Sequence, residues 1–307
     1  MTIRFDGRVA IITGAGNGLG RQHALALAAR GAAIIVNDLG GARDGSGGSM
    51  SAAEAVVAEI VAGGGKAMAN GASVTDQVGV EAMVAAALSA YGRVDILVNN
   101  AGILRDKSFA KMSLEDFRSV IDVHLMGAMI ATKAVWEAMR TQNYGRIVMT
   151  SSSSGLYGNF GQSNYGAAKM AVVGLMQTLS LEGAKNNIHV NCLAPTATTR
   201  MTNDILPDAM QDHFKPEYVT PAVVFLASEQ APTRCIMTAG AGTFAAAYVT
   251  LTPGVHLGHD AETPEKIASA FAQIISRVDE TVPKSGAEQG ANELRKRSIG
   301  KPSTSGS

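Results

Sequence analysis

The sequence has little cysteine, little charge and few aromatic residues. Aromatic residues make up 5% of the 307-residue chain and charged residues 17%, with Lys plus Arg and Asp plus Glu at 26 each. Because a nucleic-acid site usually needs an excess of basic residues, this balance argues against a nucleic-acid partner and fits a small neutral substrate. Cys192 and Cys235 are far apart without metal-ligand spacing, which argues against a disulfide framework or a zinc site. His256 and His259 have no third ligand nearby in sequence, so no metal is predicted.

Long apolar runs are absent too. No window approaches the roughly 18 uninterrupted apolar residues that indicate a membrane-spanning helix. The N-terminal residues reach a glycine-rich stretch after a short apolar run, without the longer apolar core of a secretory signal. We therefore predict a cytoplasmic protein with no membrane partner.

What the sequence does have is a regular alternation of two kinds of segment. Short runs rich in Val and Ile alternate with longer runs of helical period. Near-continuous apolar strands, each followed by a helix, predict an α/β protein with a doubly wound parallel sheet, the Rossmann fold. The strand order should reverse near the first strand, which puts a ligand crevice at the carboxyl ends of the strands. The predicted strands are 8–13, 33–38, 66–74, 94–100, 145–152 and 189–195, and the predicted helices are 19–31, 52–62, 78–91, 114–139 and 164–186.

The composition changes near the end of the chain. We predict a single domain over 1–258 that carries the sheet, followed by a C-terminal extension over 259–307. The extension should contain an amphipathic helix over 261–278, opened by Pro264 and Glu265. Its last dozen residues are rich in Ser, Gly and Lys and are predicted to be disordered.

The segment TGAGNGLG follows the first predicted strand and begins a helix. Gly14 permits a tight turn, Gly18 lets the backbone approach a pyrophosphate, and Gly20 lets helix and strand pack closely. Asp38 ends the second strand 24 residues after Gly14, where a carboxylate can hydrogen-bond the ribose hydroxyls of adenosine. The same carboxylate would repel a ribose 2′-phosphate, so the sequence favours NAD over NADP. Arg43, in the glycine-rich insert that follows, leaves the opposite preference open because an arginine can bind a 2′-phosphate.

Tyr165 and Lys169 lie one turn apart on one face of a predicted helix. An ammonium beside a phenol favours the phenolate and lowers the pKa of the phenol from about 10. A tyrosine tuned in this way can take the proton of an alcohol as hydride leaves, or return it to a carbonyl. Ser152 comes thirteen residues before Tyr165 at a strand end, where its hydroxyl can hold the substrate oxygen. A Tyr and a Lys at this spacing are also common on solvent-facing helices, so the pair gains its meaning from the glycine loop.

These motifs together resemble the short-chain dehydrogenase/reductase family. The glycine loop, NNAG after the fourth strand, the Ser ahead of YxxxK and APT after the sixth strand match its pattern over all but the C-terminal extension. The resemblance implies that Ser152 orients the substrate oxygen, that Tyr165 is the general acid and base, and that Lys169 lowers the pKa of Tyr165 and holds the nicotinamide ribose. It further implies cofactor contacts by Gly14, Asn17, Gly18, Leu19, Gly20, Asp38, Ser73, Val74, Asn100, Ala101, Gly102, Tyr165, Lys169, Pro195 and Thr198.

Two positions depart from the family pattern. Many members have an asparagine in the helix after NNAG that links the lysine to bulk water, whereas this sequence has His124. We include His124 among the candidate catalytic residues, acting through its ring or its backbone, with a structural histidine as the alternative. Thr196 stands where many members have glycine, and its neighbours Thr198 and Thr199 are both candidates to bind the nicotinamide carboxamide.

Longer segments narrow the resemblance within the family. VNDLGG, NNAGILRDKSFAKMS and the stretch over 144–165 are similar to the (3R)-hydroxyacyl-CoA dehydrogenase units of peroxisomal multifunctional enzymes of type 2. This similarity implies NAD-dependent oxidation of a 3-hydroxyacyl-CoA to the 3-oxoacyl-CoA. Because acyl-CoA and steroid specificities both occur in this branch of the family, a 17β-hydroxysteroid is the alternative substrate.

Two further functions compete with this one. A non-catalytic nucleotide-binding protein could use the same fold, but the retained Ser152, Tyr165 and Lys169 argue against it. An NADPH-dependent reductase of acyl-carrier-protein substrates is disfavoured by Asp38. Family members pair through the two long helices, so a homodimer or homotetramer is expected.

Overall fold

The computed structural model describes residues 2–199 and 211–299. The chain divides into two compact units, the first ending at Ala246 and the second beginning at Ala247. This division comes shortly before the boundary predicted at residue 258.

The first unit contains one eight-stranded sheet, apart from the last residue of its final strand. Its strands are β1 (Val9–Thr13), β2 (Ala33–Asn37), β3 (Lys66–Asn70), β4 (Ile96–Asn99), β5 (Gly145–Thr150), β6 (Ile188–Pro195), β7 (Ile236–Gly240) and β8 (Thr243–Ala247). Their order is β3-β2-β1-β4-β5-β6-β7-β8, and every pair from β3 to β7 is parallel. The chain therefore moves outward from β1 in both directions, which confirms the doubly wound sheet and the reversal beside the first strand.

Helices connect the strands. They are α1 (Gly18–Ala28), α2 (Ser51–Ala62), α3 (Gln77–Tyr91), α4 (Leu114–Ile121), α5 (Gly127–Gln142), α6 (Ser153–Tyr157), α7 (Ser163–Gly183) and α8 (Thr220–Leu226). Local signals in the sequence set several of their ends. The Ser113 hydroxyl caps α4 by accepting a hydrogen bond from the Asp116 N–H, and Gly92 and Asn143 end α3 and α5 in the left-handed conformation.

The helix predicted over 114–139 is interrupted. A π-helical turn over Asp122–Met126 separates α4 from α5, and it contains the buried His124. Such single wide turns are frequent at functional sites. A hydrophobic pattern of helical period continues through the turn, which is why the sequence predicted one helix.

The second unit contains α9 (Thr263–Ile274) and α10 (Ala287–Ile299). The first of these is the predicted C-terminal helix, with Pro264 in its first turn. The helix α10 was not predicted, and it takes in the first four of the twelve residues predicted to be disordered, while 300–307 lie outside the described residues. Among the helices that the structure describes, none combines the length and the apolar character needed to cross a membrane.

A buried carboxylate fixes the register at the amino ends of β1 and β4. Asp95 is fully buried and accepts hydrogen bonds from the Val9 N–H at 2.9 Å, the Arg8 guanidinium at 2.9 Å and the Arg93 guanidinium at 2.6 and 2.7 Å. A buried charge with several donors is well compensated, but its removal leaves those donors without a partner. This cluster holds the two central strands together at the end of the sheet opposite the predicted crevice.

We expect Asp95→Ala to lower the free energy of unfolding by about 1–3 kcal/mol, because it leaves the buried Val9 N–H without a partner and removes the carboxylate that the partly exposed Arg8 and Arg93 share. Urea denaturation followed by circular dichroism measures the loss. Glu137→Gln is the control, since Glu137 pairs with Arg140 on the surface and is 74% exposed. That variant should change the free energy by less than about 1 kcal/mol. Equal effects of the two substitutions would contradict this role for Asp95.

Candidate active site

The glycine loop after β1 makes a turn that only glycine fits. Gly14 has φ +63° and Gly18 has φ +52°, in the left-handed region that disfavours other residues. A Cβ atom on Gly20 would lie 2.2 Å from the Gly14 carbonyl oxygen and 2.5 Å from Asn100 Nδ2. The loop therefore packs closely at the start of α1 and leaves the backbone N–H groups of that helix end available to an anion.

The side chain of Asn100 ties the end of β4 to the end of β1. Its Nδ2 donates to the carbonyl oxygens of Thr13 and Gly14, both at 3.0 Å. In return, the Thr13 hydroxyl oxygen accepts from the backbone N–H groups of Asn100 and Ala101 at 3.0 and 3.1 Å. These bonds set the position of the glycine turn relative to the NNAG segment.

Asp38 is held at the end of β2 by backbone donors. One carboxylate oxygen accepts from the Gly16 N–H at 2.7 Å and the other from the Gly40 N–H at 2.6 Å. The negative charge is therefore fixed beside the glycine loop, where the sequence predicted contact with a ribose. Each oxygen keeps a lone pair for a further donor.

The glycine-rich insert after Asp38 forms a wall of the same crevice. The Arg43 carbonyl oxygen accepts from the Leu104 N–H at 3.0 Å, and Arg105 Nε donates to the Asp44 carbonyl oxygen at 3.0 Å. The insert is thereby attached to the segment that follows β4.

The predicted site residues converge on one cleft of about 890 Å³ at the carboxyl ends of the strands. It is lined by Gly14, Asn17, Gly18, Leu19, Asp38, Ser73, Val74, Asn100, Ala101, Gly102, His124, Ser152, Tyr165, Lys169 and Pro195. Gly20 lies behind the turn and does not line the cleft. Thr198 does not line it either, because its N–H donates to the Phe214 carbonyl oxygen at 2.6 Å and its hydroxyl to the Gln211 carbonyl oxygen at 3.0 Å. Thr199 lines the cleft instead.

The candidate catalytic side chains are positioned by β5, α6 and α7. Ser152 caps α6, and its hydroxyl oxygen accepts from the Ser154 N–H at 3.1 Å. Tyr165 and Lys169 share one face of α7, with Lys169 Nζ 5.4 Å from the centre of the phenol ring. Lys169 Nζ also donates to the Thr150 carbonyl oxygen at 2.7 Å. The three side chains therefore meet beside the glycine loop, although they lie far from it in sequence.

Burial dominates the electrostatics of these groups. It raises the pKa of Tyr165 to about 12, an effect that a hydrogen bond with Ser152 opposes and the charge of Asp106 reinforces. Burial also lowers the pKa of Lys169 to about 7, with a small opposing contribution from Cys192. Lys169 is not among the groups that shift the pKa of Tyr165 here, and its Nζ donates to the Thr150 carbonyl oxygen rather than to the phenol. The lowering of the Tyr165 pKa by Lys169 stays a prediction.

His124 packs against the phenol ring. Its ring meets the Tyr165 ring edge to face, with centroids 5.1 Å apart, and its Nε2 lies 2.8 Å from the Ile103 carbonyl oxygen. Burial, and secondarily the charge of Lys169, holds the pKa of His124 well below its usual value, so the ring is neutral at physiological pH. Its Nδ1 is buried without a hydrogen-bond partner among the described residues. Gly102 is required here, because a Cβ atom would lie 2.3 Å from His124 Cε1.

Sequence reasoning missed several polar residues of the cleft. Arg105, Asn159 and Gln162 line it, and the buried Asn164 links its two sides by donating from Nδ2 to the Arg105 carbonyl oxygen at 3.0 Å. Their only signal in the sequence is proximity to NNAG and to Tyr165. Within the described ranges, no group of three or more His, Cys, Asp or Glu side chains could hold a metal ion.

Comparisons with known proteins show which family and which relatives the chain resembles. A family model described as short chain dehydrogenase matches residues 8–209. Peroxisomal multifunctional enzyme type 2 of Mus musculus is 56% identical over 227 residues, which are 74% of this chain and 30% of that protein. These matches confirm the resemblance drawn from the motifs.

Two solved structures share the fold. The full-length peroxisomal multifunctional enzyme type 2 of Drosophila melanogaster superposes with a TM-score of 0.80 and 36% identity, over 97% of this chain and 51% of that one. A 7α-hydroxysteroid dehydrogenase in complex with NADH and 7-oxo glycochenodeoxycholic acid gives a TM-score of 0.71 and 30% identity. The match covers 78% of this chain and 95% of that one. The chain thus spans 30% of the mouse protein and about half of the fly protein.

The prediction of a cytoplasmic protein is contradicted. Relatives in Mus musculus, Dictyostelium discoideum, Drosophila melanogaster and Saccharomyces cerevisiae are all named as peroxisomal, the last as a peroxisomal hydratase-dehydrogenase-epimerase. A bacterial relative from Mycobacterium tuberculosis is 53% identical over 223 residues. The prediction failed because a lack of long apolar segments does not distinguish one compartment from another.

The lowered pKa of Lys169 predicts a pH dependence of stability. Between about pH 7 and the normal lysine pKa of about 10.4, the unfolded chain carries a proton that the folded chain lacks, so the free energy of unfolding rises with pH. Relative to Lys169→Met, the wild type should gain up to about 1.4 kcal/mol per pH unit between pH 7 and 9. Urea denaturation at each pH measures the difference, and the exposed Lys66 supplies a control as Lys66→Met. A pH-independent difference would contradict the shift.

Proposed function

Because the chain belongs to the short-chain dehydrogenase family, we propose that it oxidises a 3-hydroxyacyl-CoA to the 3-oxoacyl-CoA with NAD. The family and its named dehydrogenase and reductase relatives make it an oxidoreductase that acts on CH–OH groups. One observation carries the more specific proposal. Ser152, Tyr165 and Lys169 line the same cleft as the glycine loop and Asp38.

The glycine loop and Asp38 support binding of a nicotinamide dinucleotide. A side chain at Gly14 would clash with Ala101, and one at Gly20 would clash with the Gly14 carbonyl oxygen. The glycines therefore keep the tight turn that leaves the start of α1 open to a pyrophosphate. Asp38 presents a fixed carboxylate where an adenosine ribose would bind, which favours NAD over NADP. Bound there, the cofactor supplies hydride transfer. Arg43 lines the same cleft and remains the feature that would favour NADP.

Ser152 and Tyr165 supply the proton chemistry. The Ser152 oxygen accepts from the Ser154 N–H, so the hydroxyl proton is free to bond the phenol or a substrate oxygen. Tyr165 is protonated at neutral pH and is ready to donate to a carbonyl in the reductive direction. In the oxidative direction it takes the proton of the alcohol, which becomes easier as pH rises. Lys169 places a titratable group on the same helix face.

The substrate class is supported by the resemblance and by the relatives. The segments around NNAG and Tyr165 resemble (3R)-hydroxyacyl-CoA dehydrogenase units. The name of the yeast relative joins a hydratase with a dehydrogenase. A hydratase adds water across a double bond and makes the secondary alcohol that a dehydrogenase oxidises. The solved hydroxysteroid dehydrogenase favours the second candidate, a hydroxysteroid.

A homodimer or homotetramer remains part of the proposal. Exposed apolar side chains lie on the two long helical segments, namely Leu114, Met126, Met170 and Leu181. Apolar groups that are exposed in one chain are commonly covered by a second copy. Light scattering that reports a monomer would contradict this part of the proposal.

Initial rates with matched panels of 3-hydroxyacyl-CoA and hydroxysteroid substrates test the function. We expect kcat/KM to be highest for a 3-hydroxyacyl-CoA with NAD, and NADP to be at least about 100-fold poorer, because of charge repulsion at Asp38. Preference for a steroid would support the second candidate. NADH binding without turnover of any secondary alcohol would support a non-catalytic protein, and preference for NADPH with carrier-protein substrates would support a reductase.

We expect Tyr165→Phe to lower kcat by about 10²–10⁴-fold, because general acid–base catalysis by one side chain contributes that much. NADH binding, followed by fluorescence titration, should remain within about threefold, since the ring stays in place. Tyr91→Phe at the end of α3 is the matched control and should leave both quantities unchanged. A normal kcat for Tyr165→Phe would exclude the phenol as the acid and base.

A further inference from the structure

Gln162 connects the two helices that carry the candidate catalytic side chains. It lies immediately before α7 and is only 6% exposed, although it lines the cleft. The side-chain oxygen of Gln162, Oε1, accepts from the Ser154 hydroxyl at 2.7 Å and from Asn159 Nδ2 at 3.0 Å. Its Nε2 donates to Asp106 at 2.7 Å. A buried amide with these three partners is held in one orientation.

The first of these bonds acts on Ser152. Ser154 donates twice, from its backbone N–H to the Ser152 oxygen at 3.1 Å and from its hydroxyl to Gln162. Because Gln162 fixes the Ser154 side chain, it also fixes the first turn of α6 that orients the Ser152 hydroxyl. Ser154 is therefore hydrogen-bonded both to Gln162 and to Ser152.

The other bonds act on the helix that carries Tyr165. The Gln162 carbonyl group of the backbone accepts from the Gly166 N–H at 2.7 Å, in the first turn of α7. The Asp106 bond then holds this helix start to the segment after NNAG, and a backbone bond from the Lys107 N–H to the Gly161 carbonyl oxygen at 2.9 Å lies beside it. Gln162 therefore bonds to the residue that orients Ser152 and to the start of the helix that carries Tyr165.

We propose that Gln162 is a positioning residue for the dehydrogenase reaction. Its bond to Asp106 keeps the Ser152 hydroxyl aligned with the Tyr165 phenol. This inference rests on the proposed function. Misplacing two reacting groups by a fraction of an ångström lowers kcat more than KM, because alignment matters most in the transition state.

Reversing the direction of the hydrogen bond between Gln162 and Asp106 tests the proposal. Gln162→Glu keeps an oxygen for Ser154 and Asn159 but sets two carboxylates against each other at Asp106. The double variant Gln162→Glu with Asp106→Asn restores the bond, since the new amide donates to the new carboxylate. Gln162→Met removes all three bonds at similar volume. Gln142→Met is the control, because Gln142 bonds the Val94 backbone at the far end of the sheet.

We expect both single Gln162 variants to lower kcat by about 10-fold or more with KM within about threefold, and the double variant to recover to within about threefold of wild type. The NADH dissociation constant and the melting temperature of the Gln162 variants should stay close to those of wild type even though kcat falls. Gln142→Met should keep the kcat of wild type. A double variant as impaired as Gln162→Glu, or normal kcat in the Gln162 variants, would overturn the proposal. An inactive wild type would instead reject the proposed function, and with it this role.

Discussion

Four hydrogen bonds between Asn100, Ala101 and the end of β1 hold the whole site together. They join the Thr13 and Gly14 backbone and the Thr13 hydroxyl to the NNAG segment. On one side of this junction lies the glycine turn, and on the other lie the residues that contact His124 and Tyr165. Since parallel strands present their carboxyl ends at one edge, this junction brings segments that are distant in sequence into one cleft.

Within that cleft the low polarity of the surroundings decides the protonation states. Burial keeps the Tyr165 phenol and the His124 ring neutral, and it lowers the pKa of Lys169 to about 7. The fixed negative charge of Asp38 lies instead at the ribose end, where backbone N–H groups compensate it. The cleft thus has one end with a fixed negative charge and another end where burial disfavours charge.

The sequence predicted β1 to β6 and the long helices between them because buried strands and amphipathic helices have clear periods, but it did not predict α6, α8, β7 or β8. It also predicted that the glycine loop, Ser152, Tyr165 and Lys169 converge, since each follows a strand of the same sheet. It could not predict the π-helical turn at His124, because one extra residue leaves the apolar pattern unbroken. The position of Thr198 and the bond from Lys169 to Thr150 were also missed, since they depend on backbone carbonyl groups that no side-chain pattern reports.

The buried cluster around Asp95 separates the tasks of the two ends of the sheet. Strand register is set at the amino ends, by one carboxylate and its donors, while the cleft lies at the carboxyl ends. Loops around the cleft can therefore change length or composition without shifting the strands beneath them. For protein engineering, this means that the specificity of the cleft can be redesigned on a scaffold whose alignment is secured elsewhere.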